Sequence, residues 1–467
     1  MSECLYKTFN FSADPIELVE LFKDEPFLFL LNSNQHNDAL GRYSFIGFDP
    51  FYVHKASGKD SLKSLKENFS NCSFVERGTV TPLAAGIVGF LSYDYGLYQE
   101  KVSLRPKEAL VVPDCLFGFY DCILTIDHWH KKLHVSSSGL PERNMVLRQK
   151  RAQARLDSIV ARFVSYLSQF SSANKTSYDF MDDSELELAS NFSKQQYLTA
   201  VKKALSYIKR GDVYQVNLSQ RFEFHLGKND LKSFDVYKIL RHLSSSDFGG
   251  YFNGGDFQIS SSSPERFLHL KDGVLQTRPM KGTRPRGKTR EDDQRLREEI
   301  THSAKDKAEL LMITDLARND LGRICEYGSV YVKDMRTIEE YKTVFQATST
   351  VEGKLRQDKD AFDVLAACFP GGSVTGCPKI RAMDIIEELE PTRRGIYTGS
   401  LGYISFSGNM DFNILIRTLL SCQDKVYFQV GGGIVADSVP ENEYEETLVK
   451  AKAMKASLAH VLSTVQH

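Results

Sequence analysis

The sequence lacks most of the features that give a quick answer. Its formal net charge is −1 over 467 residues, so bulk charge does not make it a binder of nucleic acid or another polyanion. Its eight cysteines include no CxxC pair and no Cys/His cluster at zinc-finger spacing. That excludes the common zinc modules and fits reduced, mostly buried thiols in a cytoplasmic chain. The start, MSECLYKTFNF, has no charged segment followed by a long apolar run, so no secretory leader is expected. The most apolar window, 109–126, is broken by Pro113, Asp114 and Asp121 and cannot form a membrane span. There is no P-loop, no dinucleotide fingerprint and no repeat of fixed period.

What is present is an ordinary globular composition, 42% hydrophobic and 25% charged. At roughly 150 residues per domain, the length suits two or three domains. Short Gly-punctuated strands are expected at 27–31, 41–48, 84–93 and 122–126, followed by a helix over 142–170. The polar, acidic stretch 171–191 reads as a linker, dividing the chain into segments 1–180 and 190–457. Beyond it, Ser193 and Gln196 form a capping box for a helix that Gly211 closes. VYQVNLSQRFEF (213–224) alternates, with Gln215, Asn217, Ser219 and Arg221 on one face. That face suits either a polar pocket or solvent.

Four clusters carry chemistry. RPMKGTRPRG (278–287) is expected to be a shaped loop, because its prolines and glycines disfavour a helix or a central strand. It is either a solvated basic turn or a site where arginines hold an anion while Lys281 reacts with it. Asp306 and Glu309 share one face of a helix, and Glu443, Glu446 and Lys450 share a face of another. Two such acidic pairs suit Mg²⁺, which takes one or two carboxylates together with waters and a substrate anion; solvated surface acids are the alternative. FPGGSVTGCPK and QVGGG, the latter expected to follow a strand, offer hydroxyls and bare backbone N–H groups for carboxylates or phosphates. Glu265, in SSSSPERFLHL, becomes a candidate general acid if it is buried.

In order along the chain, GDVYQVNLSQRF, SSPERFL, RPMKGTRPRG, ELLMITDLARNDLGRI, FPGGSVTGCPKIRAM, RRGIYTGSLGY and GGGIVADSVPENEYEET resemble the motifs of the chorismate-utilising enzymes. The resemblance is strong over about 190–457. The N-terminal third is similar to that of the anthranilate and aminodeoxychorismate synthase large subunits. It implies an α+β fold, two large antiparallel sheets packed together with helices outside and the active site in a cleft between them. It also implies Mg²⁺ held by Glu309 and Glu446 with Asp306 and Glu443 as outer partners, and Glu265 as general acid. Ser373, Tyr397, Arg417, Gly433, Lys450, Thr283 and Gln215 become the substrate-binding residues.

Within this family two positions discriminate. Gln215 stands where isochorismate and salicylate synthases have a water-activating lysine, and an amide is no base. Lys281 stands where anthranilate synthases usually have alanine and aminodeoxychorismate synthases commonly have lysine. The resemblance therefore implies amination of chorismate at C4 through a covalent Lys281 intermediate, on the route to p-aminobenzoate and folate. Anthranilate synthesis is the alternative within the family; an inactive chorismate- or amino-acid-binding regulatory subunit is the alternative outside it. A nucleophilic lysine must be neutral, and at an ordinary pKa only about one in 2,500 is neutral at pH 7. Repulsion from the neighbouring Arg278, Arg284 and Arg286 is expected to lower that pKa, and burial to add to the shift. Gln346 replaces a histidine common in the family. LLNS (30–33) and SSDFGGYF (245–252) lack the glutamate and prolines of the tryptophan feedback site, so no such feedback is implied. No glutaminase module or C-terminal lyase is recognisable, so ammonia is expected from a separate glutamine amidotransferase subunit in a heterodimer.

Overall fold

The computed structural model describes residues 4–465, apart from 34–39, 73–79, 101, 170–177, 179, 181–185, 227–231 and 342–343. Most of the expected linker therefore lies outside the described residues. Of its remainder, Ala189–Ser190 adds a short strand beside Gln215–His225.

Two antiparallel sheets form the body, of twelve and ten strands among the described residues, with helices on their outer faces. The α+β architecture expected from the motifs is thus the one observed. The expected early strands appear as Phe29–Asn32, Tyr43–Gly47, Gly86–Leu91 and Cys122–Asp127. Both sheets contain strands from before and after residue 180: Phe29–Asn32 pairs with Phe248–Asn253, and Gly86–Leu91 with Ser400–Ser405.

The sheets meet through apolar side chains. Phe29, Phe45, Ile259 and Leu420 of the larger sheet pack with Val88, Phe90, Leu116, Leu401 and Tyr403 of the smaller. Phe45 meets Tyr403 edge-on at 5.3 Å, and Phe90 meets Phe257 at 5.7 Å. Each fully buried ring of this kind contributes about 2 kcal/mol, so the sheet interface is a stiff base for the site. On the outside, Lys194–Lys209 begins with the expected Ser193–Gln196 box and buries Tyr197, Val201 and Ala204. Pro440–Val465 lays Ala451, Met454 and Leu458 against Phe222 and Phe428.

Two local expectations need correction. RPMKGTRPRG is not a free loop: Met280–Pro285 is a strand pairing with Val344–Lys354 alone among the described strands. An edge strand tolerates proline because one side needs no ladder donor. Its register shifts between Met280 and Thr283, and Gly282 there has φ 85°. The glycine permits a bulge that turns Lys281 out of the regular alternation. The second correction concerns Gly431, Gly432 and Gly433, which lie inside the strand Lys425–Ile434 rather than after it. A Cβ at Gly432 would sit 3.1 Å from Glu443 Oε2, and one at Gly433 would sit 3.0 Å from Gln215 Nε2. These glycines make room for site side chains.

Candidate active site

Glu265 lies in the short connection between the strands Phe257–Ser263 and Arg266–Lys271. It is only 5% exposed. Burial raises its carboxyl to about 7, although the Ser373 hydroxyl, Lys281 and the Met280 N–H each pull it down. Such a group is protonated in a large fraction of molecules near neutrality, as a general acid must be. Lys281 is half-buried beside it and donates from Nζ to the Ser373 carbonyl at 3.3 Å. Burial lowers the lysine pKa, and Lys450 adds repulsion, against the opposing pull of Glu309, Glu265 and Glu446.

The arginines of the same segment do not supply this shift. Arg278 pairs with Glu339, Arg284 with Glu299 at 2.7 Å and Asp306 at 3.1 Å, and Arg286 with Asp293 at 2.6 Å. They tie the edge strand and its flanks to the strand Tyr331–Glu340 and to the helices Arg290–His302 and Ala304–Gly322. The arginine half of the expectation for Lys281 is corrected, since the nearby cation is Lys450; the burial half holds and dominates.

The helix Ala304–Gly322 brings Glu309 up from below, and the first turns of Pro440–Val465 bring Glu443 and Glu446. Burial and neighbouring carboxylates hold Glu309 and Glu443 above the ordinary carboxylate range. Glu443 also accepts from the Ser438 hydroxyl at 2.6 Å. Glu446 sits at the open rim; burial pushes it up, but the cations Lys450, Lys281 and Lys305 outweigh this and leave it low. Lys450 Nζ is 2.7 Å from Glu446 and donates to the Gly431 carbonyl at 2.8 Å. Lys305, which the sequence reading passed over, lies 3.9 Å from Glu309. Asp306 is turned the other way, into its pair with Arg284.

Among the described residues no three acidic, histidine or cysteine side chains form a ready metal cage. Yet the carboxylates repel one another, and three lysines provide the compensating charge. A hard divalent ion that needs only one or two carboxylates and completes its shell with water and a substrate anion fits this donor set.

The far wall is the polar face of Gln215–His225, and it faces inward: Gln215, Asn217, Ser219 and Arg221 are all buried. Gln215 is fully buried, and neither its Oε1 nor its Nε2 has a hydrogen-bond partner. An unpaired buried amide costs about 1–3 kcal/mol, a cost that a bound ligand with matching groups would remove. Tyr397 is buried, with Arg394 5.7 Å from its ring centre. Thr398 donates its N–H to the Leu415 carbonyl at 2.8 Å and Ile414 donates to Glu265 O at 3.0 Å. These bonds bring the Arg417 segment alongside Tyr397 and Glu265. Arg417 is half-buried and forms no ion pair among the described residues. Thr283 is exposed on the edge strand opposite Gln346, which is itself 2% exposed. No described hydrogen bond joins the Thr283 hydroxyl to the other site residues.

Sequence reading also missed Arg394 and Glu390, a wholly buried pair joined at 2.8 Å. They stand four apart in EPTRR, but Glu390 lies past the end of the helix Lys379–Leu389 and Pro391 follows, so helical spacing did not pair them. Elsewhere, the LLNS and SSDFGGYF segments meet through the pairing of Asn32 with Gly249, beside a cavity of about 580 Å³ lined by Asn32, Asp247, Phe248 and Tyr43. No helix among the described residues is long and apolar enough to cross a membrane.

Known proteins share the sequence and fold of this chain over most of its length. A family model described as chorismate binding enzyme matches residues 26–456. The chain is 37% identical over 455 residues to aminodeoxychorismate synthase component 1 of Bacillus subtilis (strain 168), covering 92% of this chain and 93% of the relative. It is 36% identical over 456 residues to anthranilate synthase component 1 of Acetivibrio thermocellus, covering 94% and 92%. The crystal structure of anthranilate synthase component I from Streptococcus pneumoniae TIGR4 superposes with a TM-score of 0.76 at 31% identity, over 95% of this chain and 98% of that one.

Proposed function

The chain belongs to the chorismate-binding enzyme family, and from that premise we propose that it aminates chorismate at C4, giving 4-amino-4-deoxychorismate. At the coarser level it is a chorismate-utilising enzyme of the aminodeoxychorismate and anthranilate synthase component I type. The observation that carries the finer reading is the Lys281–Glu265 pair: an amine whose pKa burial lowers, beside a carboxyl raised to about 7.

In this reading the neutral Lys281 amine attacks C2 of the ring. The two ring double bonds shift, the C4–O bond breaks, and the proton of Glu265 leaves with the hydroxyl as water. Ammonia then attacks C4, the double bonds shift back, and the C2–N bond to Lys281 breaks. The balance is chorismate and ammonia in, aminodeoxychorismate and water out. Glu309 and Glu446, supported by Glu443, would hold Mg²⁺, which when bound neutralises a substrate carboxylate. Arg417 offers a fork for the other carboxylate, and Gln215, Ser373 and Lys450 orient the ring. Gln215 and Gln346 are neutral amides, so neither activates water nor strips a ring proton. Ammonia comes from a separate glutamine amidotransferase.

The second reading, anthranilate synthesis, stands beside it because the identity to relatives of both kinds is similar. It requires ammonia itself to attack C2 and pyruvate to leave. Chromatography of products from chorismate, Mg²⁺ and ammonium salt separates the two: aminodeoxychorismate without pyruvate supports the first, anthranilate with pyruvate the second.

A further inference from the structure

Arg394 makes five hydrogen bonds within the protein. Nε donates to Glu390 Oε2 at 2.9 Å and Nη2 to Glu390 Oε1 at 2.8 Å. Nη1 donates to the Val374 carbonyl at 3.0 Å and the Thr398 hydroxyl at 3.2 Å. Nη2 also reaches the Asn217 carbonyl at 2.8 Å. The side chains of Arg394 and Glu390 are each 1% exposed.

Besides Glu390, the partners lie on three separate segments, each adjoining a substrate residue. Val374 follows Ser373, and Thr398 follows Tyr397. Asn217 is two positions from Gln215, and its side chain also donates to Val374 O at 2.9 Å. Glu390 Oε1 takes the Ser219 N–H at 2.9 Å and the Ser219 hydroxyl at 2.6 Å, tying down the same strand. Thr398 has φ 60°, a left-handed backbone that persists only when its surroundings hold it. The N-terminal third closes the top: the Tyr93 ring lies 4.6 Å from the guanidinium, and Tyr93 N–H donates to Gly395 O at 2.8 Å.

Stability alone does not explain such a pair. A buried Arg–Glu bridge is often no better than well-packed apolar residues of equal volume, because desolvation offsets the attraction. What five fixed donors supply is relative position. We infer that Arg394, paired with Glu390 and covered by Tyr93, is a positioning residue that holds the Gln215 strand, the Ser373 loop and Tyr397 in register, and so sets chorismate affinity from outside the site. This inference rests on the chorismate reading of the site.

The test uses the full chain with Mg²⁺ and ammonium salt, following chorismate consumption whatever the product. Arg394→Lys keeps the charge but has three donors from a single nitrogen, so it cannot span the three segments. At a temperature where melting curves show it folded, its KM for chorismate should rise at least tenfold, with a smaller fall in kcat. Glu390→Gln, which keeps the shape, should move KM the same way and serves if the arginine variant does not fold. Millimolar guanidinium should lower the raised KM of Arg394→Ala, and methylammonium should not. An unchanged KM in folded Arg394→Lys or Glu390→Gln, or equal rescue by both cations, overturns the inference. Failure of the wild-type chain to consume chorismate overturns the reading of the site itself, and this inference with it.

Discussion

Glu265→Gln should make the protein inactive and, above neutrality, more stable. Burial raises this carboxyl from 4.5 to about 7, so the folded state binds its proton more tightly than the unfolded state does. The stability it contributes is fully present below about pH 4.5 and is lost as pH rises to about 7. A shift of ~2.5 units at ~1.36 kcal/mol each makes the full loss about 3 kcal/mol, of which about 2.5 kcal/mol falls between pH 5 and pH 8. Glutamine cannot ionise, so the substitution removes that loss. Urea denaturation at pH 8 should show the variant more stable by up to ~3 kcal/mol, less whatever its own buried amide costs. At pH 5 the gain should shrink by about 2.5 kcal/mol. Turnover should fall by at least ~100-fold, the lower range for a lost general acid. In the wild type, kcat/KM at fixed concentration of free NH₃ should decline above about pH 7 as Glu265 ionises. A stability difference that does not change between pH 5 and pH 8, or near-normal turnover by the variant, would refute the assignment of Glu265 as a buried acid.

Glu309→Gln and Glu446→Gln should each lower Mg²⁺-dependent turnover by at least ~10-fold while leaving the fold intact; unchanged magnesium titrations in both would remove these residues from the metal site. Gly282→Ala forces a φ of 85° on an L side chain and places a Cβ 3.0 Å from Asp306 Cγ. It should cost about 1–2 kcal/mol and a larger share of turnover, because the bulge aims Lys281; full activity would show that the bulge is incidental. The isolated chain should work with ammonium salt, faster as pH rises from 6 toward 7 and NH₃ increases. It should fail with glutamine until a small amidotransferase is added, and glutamine-dependent turnover by the chain alone would contradict this. Intact-mass analysis after chorismate and Mg²⁺ without ammonia should show an adduct that Lys281→Ala abolishes; the same adduct on that variant would place the covalent chemistry elsewhere.

The parts of the fold that could be read in the sequence are those specified locally. Ser193 and Gln196 announce a helix start because a capping box is a short-range contact. The acidic faces of the two site helices follow from spacing alone. Burial was not legible. The alternation of Gln215, Asn217 and Ser219 gives a polar face but does not say whether it meets water or the interior, and the pKa values of Glu265 and Lys281 depend on that difference. The roles of Arg278, Arg284 and Arg286 were misjudged for a related reason. Their acidic partners lie 7 to 61 positions away along the chain, so local composition shows their charge but not what neutralises it. Gly432 and Gly433 suggested bare backbone N–H donors beyond a strand; they lie inside the strand, and the empty space beside each Cα is what the site uses. Arg394 went unnoticed because, although Glu390 and Thr398 are each four positions away, Val374 and Asn217 come from segments that only the fold brings close.

Product analysis of wild type and Lys281→Arg, each incubated with chorismate, Mg²⁺ and ammonium salt, tests the central claim most directly. Arginine preserves the positive charge but stays protonated and is no nucleophile. The account predicts 4-amino-4-deoxychorismate without pyruvate from the wild type, and from Lys281→Arg a protein that still binds chorismate but forms almost no aminated product. Anthranilate and pyruvate from the wild type, or near-normal amination by Lys281→Arg, would contradict it.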